Sequence, residues 1–375
     1  AYDFGPGHPM DPVRLDLTIR LLGELGLLEL FDVVAPHLAT DADLALVHDP
    51  AYLAAVREAS RTGLAAASFG LGDADTPVFA GMHEAAARIA GAALEGARLL
   101  AGGSVRRVLS PAGGMHHAMP SAASGFCVHN DAALALAVLA EQGPAVYVDL
   151  DVHHGDGVQR AFEADGRVTT ISIHQHPGSI YPHTGYPGEI GTGPGRGHSV
   201  NLALPEGVTD AGWLRAIEAV VEPVVREVRP FALVTQHGCD THADDPLGGL
   251  RISIEAQAEA ARMLARLADE HAGGRWLALG GGGYDVVGVV PRVWAHVAAV
   301  VAGVDLDPSL PTPAAWRRHV RDTTGREAPL AMGDGVEVRY RPFSAGHDPA
   351  DDVDRAIMAT RNATFPCLGL DPLTA

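Results

Sequence analysis

A chain of 375 residues, 47% of them apolar, can bury a large core and fits one big α/β domain better than two ordinary ones. Its net charge of −19 repels nucleic-acid phosphates and favours basic partners, so no direct nucleic-acid role is expected. No apolar run reaches the roughly 18 residues of a membrane helix and no charged-then-apolar leader opens the chain, so a soluble, cytoplasmic protein away from membranes is expected.

Asp11-Pro12 reads as a helix start, and Leu15, Ile19, Leu22 and Leu25 recur at helical spacing toward Gly26, predicting a core-facing helix. A second helix is expected over Ala85 to Leu100. A strand should precede Gly113-Gly114-Met115-His116-His117, and a third helix should cover Asp131 to Gln142. Ala145-Val146-Tyr147-Val148 is apolar enough for a buried parallel strand. Val168 to Ile173 and Val200 to Leu204 read as further strands. The Gly/Pro-rich stretch between Gln175 and His198 is too long for a simple connector and reads as a site-forming loop. Helical Trp213 to Val228, strand Ala232 to Gln236, helical Ile254 to Ala268, strand Trp276 to Leu279 and helical Val286 to Val301 complete the alternation. This pattern specifies a single three-layer α/β domain whose central sheet is mostly parallel and covered on both faces. Residues 1–305 form the expected catalytic domain, and from Leu306 to residue 375 a proline-richer tail should pack on it.

Three cysteines, Cys127, Cys239 and Cys367, make neither an even set nor a CxxC pair, so reduced thiols are expected. The chain has no lysine, which excludes a Schiff-base lysine and a phosphate loop ending in Gly-Lys-Ser/Thr.

The most informative run is Asp149-Leu150-Asp151-Val152-His153-His154-Gly155-Asp156. On an extended strand the alternation throws Asp149, Asp151 and His153 onto one face, at the carboxyl end where ligands gather. A hydrolytic zinc site needs three protein ligands and one open position, and Asp240, ending the strand Ala232 to Gln236, is the best third candidate beside Asp151 and His153. Two carboxylates and one imidazole also suit iron(II) or manganese(II). His116 and His117 can supply a base and an acid, with Asp149 and Asp156 as carboxylate partners. Tyr284, after four glycines, can donate to a developing oxyanion.

Gly5-Pro6-Gly7-His8-Pro9-Met10, Gly113 to His117, Gly125-Phe126-Cys127, Asp149 to Asp156, Asp240 with Asp245-Pro246-Leu247, and Gly280 to Tyr284 together resemble the zinc-dependent histone deacetylase superfamily, and look most like its bacterial acetoin-utilisation deacetylases. The resemblance runs from the N-terminus to about Gly303. It implies an arginase-like α/β fold, an acyl-lysine tunnel, and zinc held by Asp151, His153 and Asp240. It also implies that Tyr284 polarises the acetyl carbonyl, that His117 with Asp156 shuttles the proton, and that His116 with Asp149 acts electrostatically. By the same likeness Phe126, Tyr181 and Leu247 line the tunnel, Gly125 forms part of its wall, Asp75 holds the substrate backbone at the rim, and Arg14 sits on an internal acetate channel. A structural potassium is implied at Asp149, Asp151, His153, Ser172 and Ile173, and a second near Phe162, Asp165 and Val168.

The chain departs from that pattern in three places. It begins at Ala1 almost directly on the Gly-His-Pro-Met motif, His183 stands where a glycine is usual, and the rim carries one residue more between Gly72 and Asp75. The function expected is therefore metal-dependent removal of acetyl from lysine in an acetylated protein, with an acetylpolyamine amidohydrolase or a catalytically silent acyl-lysine binding protein as alternatives. Arginase would need a second metal and more carboxylates around it. The sequence leaves the oligomeric state open.

Overall fold

The computed structural model describes residues 1–374. Helices α1 (Val13–Glu24), α2 (Asp41–Leu44), α3 (Pro50–Thr62) and α4 (Met82–Ala101) precede the first strand, β1 (Arg107–Ser110). There follow α5 (Asp131–Leu139), β2 (Ala145–Asp149), α6 (Asp156–Phe162), β3 (Val168–Gln175), β4 (Ser199–Leu204) and α7 (Asp210–Val228). The chain continues through β5 (Ala232–Gln236), α8 (Ile254–His271), β6 (Trp276–Leu279), α9 (Val290–Ala302), α10 (Ala314–Thr324) and α11 (Asp352–Thr364).

The six strands form one parallel sheet in the order β1-β6-β5-β2-β3-β4. Alternate residues feed opposite layers, as a period of two requires. Val146 and Val148 pack with α7, α8 and α9, whereas Ala145 and Tyr147 pack with α4, α5 and α6. The result is the expected three-layer α/β domain. From β2 the chain moves outward to β3 and β4 on one side, and from β5 it moves to β6 on the other. The order therefore reverses between β2 and β5, and the crevice beyond their carboxyl ends is where such sheets bind ligands.

Several boundaries and one face differ from the sequence reading: α4 and α7 begin earlier than expected, at Met82 and Asp210, and α8 runs on to His271. α5 stops at Leu139 and β3 runs on to Gln175. α9 begins only at Val290, because the Asp285 carbonyl accepts the N–H groups of Val289 and Val290 and holds 286–289 in a turn before Pro291. On α1, Ile19 is 44% exposed, and the buried stripe is Arg14, Leu17, Thr18, Leu21 and Leu22. Arg14 donates to the carbonyls of Gly281 and Gly283, which turns Leu17, Leu21 and Leu22 toward α9 and α10.

In residues 306–374, α10 packs on α1, and α11 covers the edge strand β4 and touches α7. Thr360 of α11 donates its hydroxyl proton to the Asn201 carbonyl at 2.7 Å, at that edge. Among the described residues no helix is long and apolar enough to cross a membrane. The three cysteines are free, with Cys127 and Cys239 buried.

Candidate active site

Register places the end of β2 between two neighbours: Asp149 lies opposite Ser172 of β3 and Gln236 of β5. Beyond it the chain delivers Asp151 and His153, and beyond β5 it delivers Asp240. These three buried side chains present ligand atoms within 4.8 Å of one another. His153 Nδ1 is 2.9 Å from Asp151 Oδ1 and 3.3 Å from Asp240 Oδ2. Asp151 Oδ2 accepts from the Gln236 amide at 2.7 Å and from the Gly282 N–H at 2.8 Å, and Asp240 Oδ1 accepts from the Val152 N–H at 2.9 Å. Asp240 Oδ2 is buried with no hydrogen-bond partner.

That combination fits a cation. An orphaned buried carboxylate oxygen is costly unless something positive meets it. Burial, with the Asp151 charge beside it, pushes the Asp240 carboxyl up to about 7. The glycines around the set admit the carboxylates: a Cβ on Gly238 would lie 2.1 Å from Asp151 Oδ2, and one on Gly282 would lie 2.0 Å from Asp240 Oδ2. Two carboxylates and one imidazole, with one oxygen left free, match a three-ligand hydrolytic metal site.

His116 and His117 lie on the loop after β1. The buried Asp131 at the start of α5 shapes this loop, its carboxylate accepting from the N–H groups of Gly114 and Met115. Asn130 helps by donating to the carbonyls of His116 and Ala118. His116 Nδ1 is 2.7 Å from Asp149 Oδ2, and His117 Nδ1 is 2.7 Å from Asp156 Oδ1. Burial opposes charge on both imidazoles, with unequal outcomes. For His116 the carboxylates of Asp149, Asp151 and Asp156 overcome it and raise the pKa to about 9. For His117 burial wins, reinforced by the neighbouring His116 charge, and the pKa falls below its usual value. The pair thus offers one charged and one free imidazole.

Tyr284 is half-buried, with its N–H on Asp245 Oδ2 at 2.7 Å and its ring edge-on to Phe126, ring centres 5.8 Å apart. Burial, then the charges of Asp240 and Asp151, raise its phenol well above the usual value, so it remains a proton donor in hydrogen bonding. The glycine run before it is gripped from outside by the buried Arg14, at 2.9 Å to the Gly281 carbonyl and 3.2 Å to that of Gly283.

The residues expected at the wall and rim take the following positions. Gly125, at φ +49°, lies against His117, where a Cβ would come within 2.4 Å of the imidazole. The Tyr181 ring centre is 5.1 Å from that of His117, and its hydroxyl pairs with Ser124. Leu247 is 38% exposed, its N–H held by Asp245 Oδ1 at 2.9 Å. Asp75 lies in an exposed turn whose carbonyl accepts from His8 Nε2 at 3.2 Å, and the His8 ring packs edge-on against Phe126. His183, the unusual residue of the Tyr181 loop, has φ +67° and donates Nδ1–H to the Pro177 carbonyl at 2.9 Å. Ser172 and Ile173 sit on β3 beside Asp149, and Phe162, Asp165 and Val168 bracket the turn from α6 to β3.

Several supporting residues carry no role in the sequence reading. Gln236 orients Asp151 and, through Oε1, accepts the Gly238 N–H at 2.6 Å. Tyr147 donates its hydroxyl proton to Asp149 Oδ2 at 2.8 Å, and Asp245 ties Tyr284 to Leu247. The one available signal was positional: Gln236 ends β5 as Asp149 ends β2.

The chain matches the family described as "Histone deacetylase domain" over residues 8–301. It is 39% identical over 321 residues to the acetoin utilization protein AcuC of Bacillus subtilis, covering 84% of this chain and 82% of that one. It is 35% identical to the protein of the same name from Staphylococcus xylosus, covering 84% and 83% of the two chains. The crystal structure of a histone deacetylase homologue from Aquifex aeolicus superposes with a TM-score of 0.79 at 25% identity, covering 96% of this chain and 98% of that one. With a β2–β5 crevice that presents buried Asp151, His153 and Asp240 beside a histidine pair and a tyrosine, this chain belongs to the histone deacetylase family of hydrolases, near the acetoin utilization proteins.

Proposed function

We propose that the chain removes acetyl groups from acetyl-lysine in proteins, using a divalent ion, zinc or iron(II), held by Asp151, His153 and Asp240. The observation that carries this reading is the buried set Asp151, His153 and Asp240, its ligand atoms within 4.8 Å of one another and Asp240 Oδ2 without a hydrogen bond, with His116 Nε2 3.9 Å from Asp151 Oδ2. Such an ion supplies Lewis acidity, polarising the substrate carbonyl and lowering the pKa of a water to about 7.

The protein's own groups do the rest. His117, neutral at its Nε2 face while Nδ1 is turned to Asp156, takes the proton of the attacking water and later gives it to the departing lysine amine. The Asp156 carboxylate steadies the imidazolium formed between those steps. His116, charged against Asp149, lowers the energy of negative charge accumulating on the reacting carbon's oxygens. Tyr284 donates its phenolic hydrogen to that oxygen. Phe126, Tyr181, Leu247 and Gly125 enclose the lysine methylenes, Asp75 accepts from the substrate backbone at the rim, and Arg14 lines an inner path for acetate. Structural potassium ions belong to the same reading, one at Asp149, Asp151, His153, Ser172 and Ile173 and one near Phe162, Asp165 and Val168. The substrate partner is an acetylated protein met in the cytoplasm, where three unpaired cysteines are at home.

The test is acetate release from acetyl-lysine peptides and from acetylputrescine, with and without chelator. Chelator-sensitive release from the peptides, exceeding that from acetylputrescine, is expected. The reverse preference makes the protein a polyamine amidohydrolase, and metal-loaded protein that cleaves neither is an acyl-lysine binding protein.

A further inference from the structure

We propose that Asp334, which lies beyond the 8–301 family match, is a positioning residue for the metal site, pinning the turn from Cys239 to Asp245 that carries Asp240 at one end and the Tyr284 anchor Asp245 at the other. The contact runs through His242. This imidazole is buried, accepts the Asp244 N–H at Nδ1 (3.1 Å), and therefore carries its proton on Nε2, which donates to Asp334 Oδ2 at 2.9 Å. His242 in turn closes the turn on both sides: its N–H bonds the Cys239 carbonyl and its carbonyl accepts the Asp245 N–H, each at 3.1 Å. The residue whose ring Asp334 holds therefore also carries the two main-chain bonds of the turn.

Asp334 is itself held on every side. Its Oδ2 also accepts the Ile254 N–H at 2.9 Å, and Arg292 reaches Oδ1 at 3.2 Å and the Gly333 carbonyl at 2.9 Å. Glu255 Oε1 accepts the N–H groups of Asp334 and Gly335 at 2.9 and 2.8 Å. Only glycine fits at 333 against this carboxylate, since a Cβ there would lie 2.4 Å from Glu255 Oε1. A carboxylate fixed by α8 and α9 and bonded to a ring inside the ligand turn has the build of an outer partner that orients a metal ligand. Losing a partner bonded directly to a ligand costs about 10- to 100-fold in metal affinity or activity, and Asp334, acting one residue further out through His242, belongs at the lower end of that range.

The inference rests on the metal-site reading above, and its test reads metal binding without any substrate. Metal-stripped full-length protein is titrated with zinc for wild type, Asp334→Ala and Asp334→Asn. Expected is zinc affinity about 10-fold weaker in Asp334→Ala, a smaller loss in Asp334→Asn, and, with acetyl-lysine peptide, a fall in kcat at a KM within about twofold of wild type. Should Asp334→Ala not fold, Asp334→Asn is read alone, and any affinity loss beyond about twofold supports the proposal. Zinc affinity within about twofold of wild type, whatever the change in melting temperature, overturns it. Wild type that binds zinc and releases no acetate sinks the deacetylase reading and leaves this comparison standing.

Discussion

The imidazoles of His116 and His117 pack with ring centres only 4.0 Å apart, yet they are biased in opposite directions. Their carboxylate contacts are equal at 2.7 Å and burial opposes charge on both, so the difference lies in the surroundings: three carboxylates overcome burial at His116, whereas at His117 the His116 charge adds to it.

A pH profile follows with a definite sign. The base form of His117 is the neutral one, so kcat/KM should rise with pH through the His117 pKa, which burial and then His116 hold below about 6.5. Replacing His116 by Asn removes one of those two influences, and the acidic limb of the residual activity should move to higher pH. A limb that stays put or moves lower contradicts the division of roles.

Tyr284→Phe removes the phenol and leaves its backbone tie to Asp245 intact. Metal content should match wild type and kcat should fall about 100-fold or more, the cost of one oxyanion donor. Metal analysis and steady-state kinetics on one preparation check both parts.

Gln236→Leu should weaken metal binding about 10- to 100-fold by freeing Asp151 to turn. It also strands the buried Gly238 N–H, a loss of about 1–3 kcal/mol readable by urea denaturation. Zinc titration unchanged from wild type would show that Gln236 is packing alone.

His117→Ala should lose far more turnover than Cys127→Ser, by about 100-fold or more. The buried Cys127 thiol donates to the Gly125 carbonyl at 3.2 Å, and burial pushes it well above the usual thiol range, so it stays protonated. Equal damage from the two substitutions would move the base elsewhere.

The sheet and the ligand set were readable because each is written locally. Ala145 to Val148 is an uninterrupted apolar strand, and the Asp-x-Asp-x-His spacing after it alternates onto one face. The supporting groups are not local. Gln236 and Asp131 acquire meaning only when register and loop closure set them under Asp151 and under the His116 loop, from 85 and 16 positions away. α10 was missed because it buries only Trp316 and Val320 among arginines and a histidine, too few apolar positions to show a period. Ile19 misled for a related reason: its helical spacing is right, but the charged Arg14 and not a hydrophobe decides which face of α1 turns inward.

The most direct measurement is acetate release from an acetyl-lysine peptide as metal-stripped protein is titrated with zinc. Activity should start near zero and saturate at one ion per chain, and Asp240→Ala should stay inactive throughout. Full acetate release from stripped protein in excess chelator would contradict the metal site at its root.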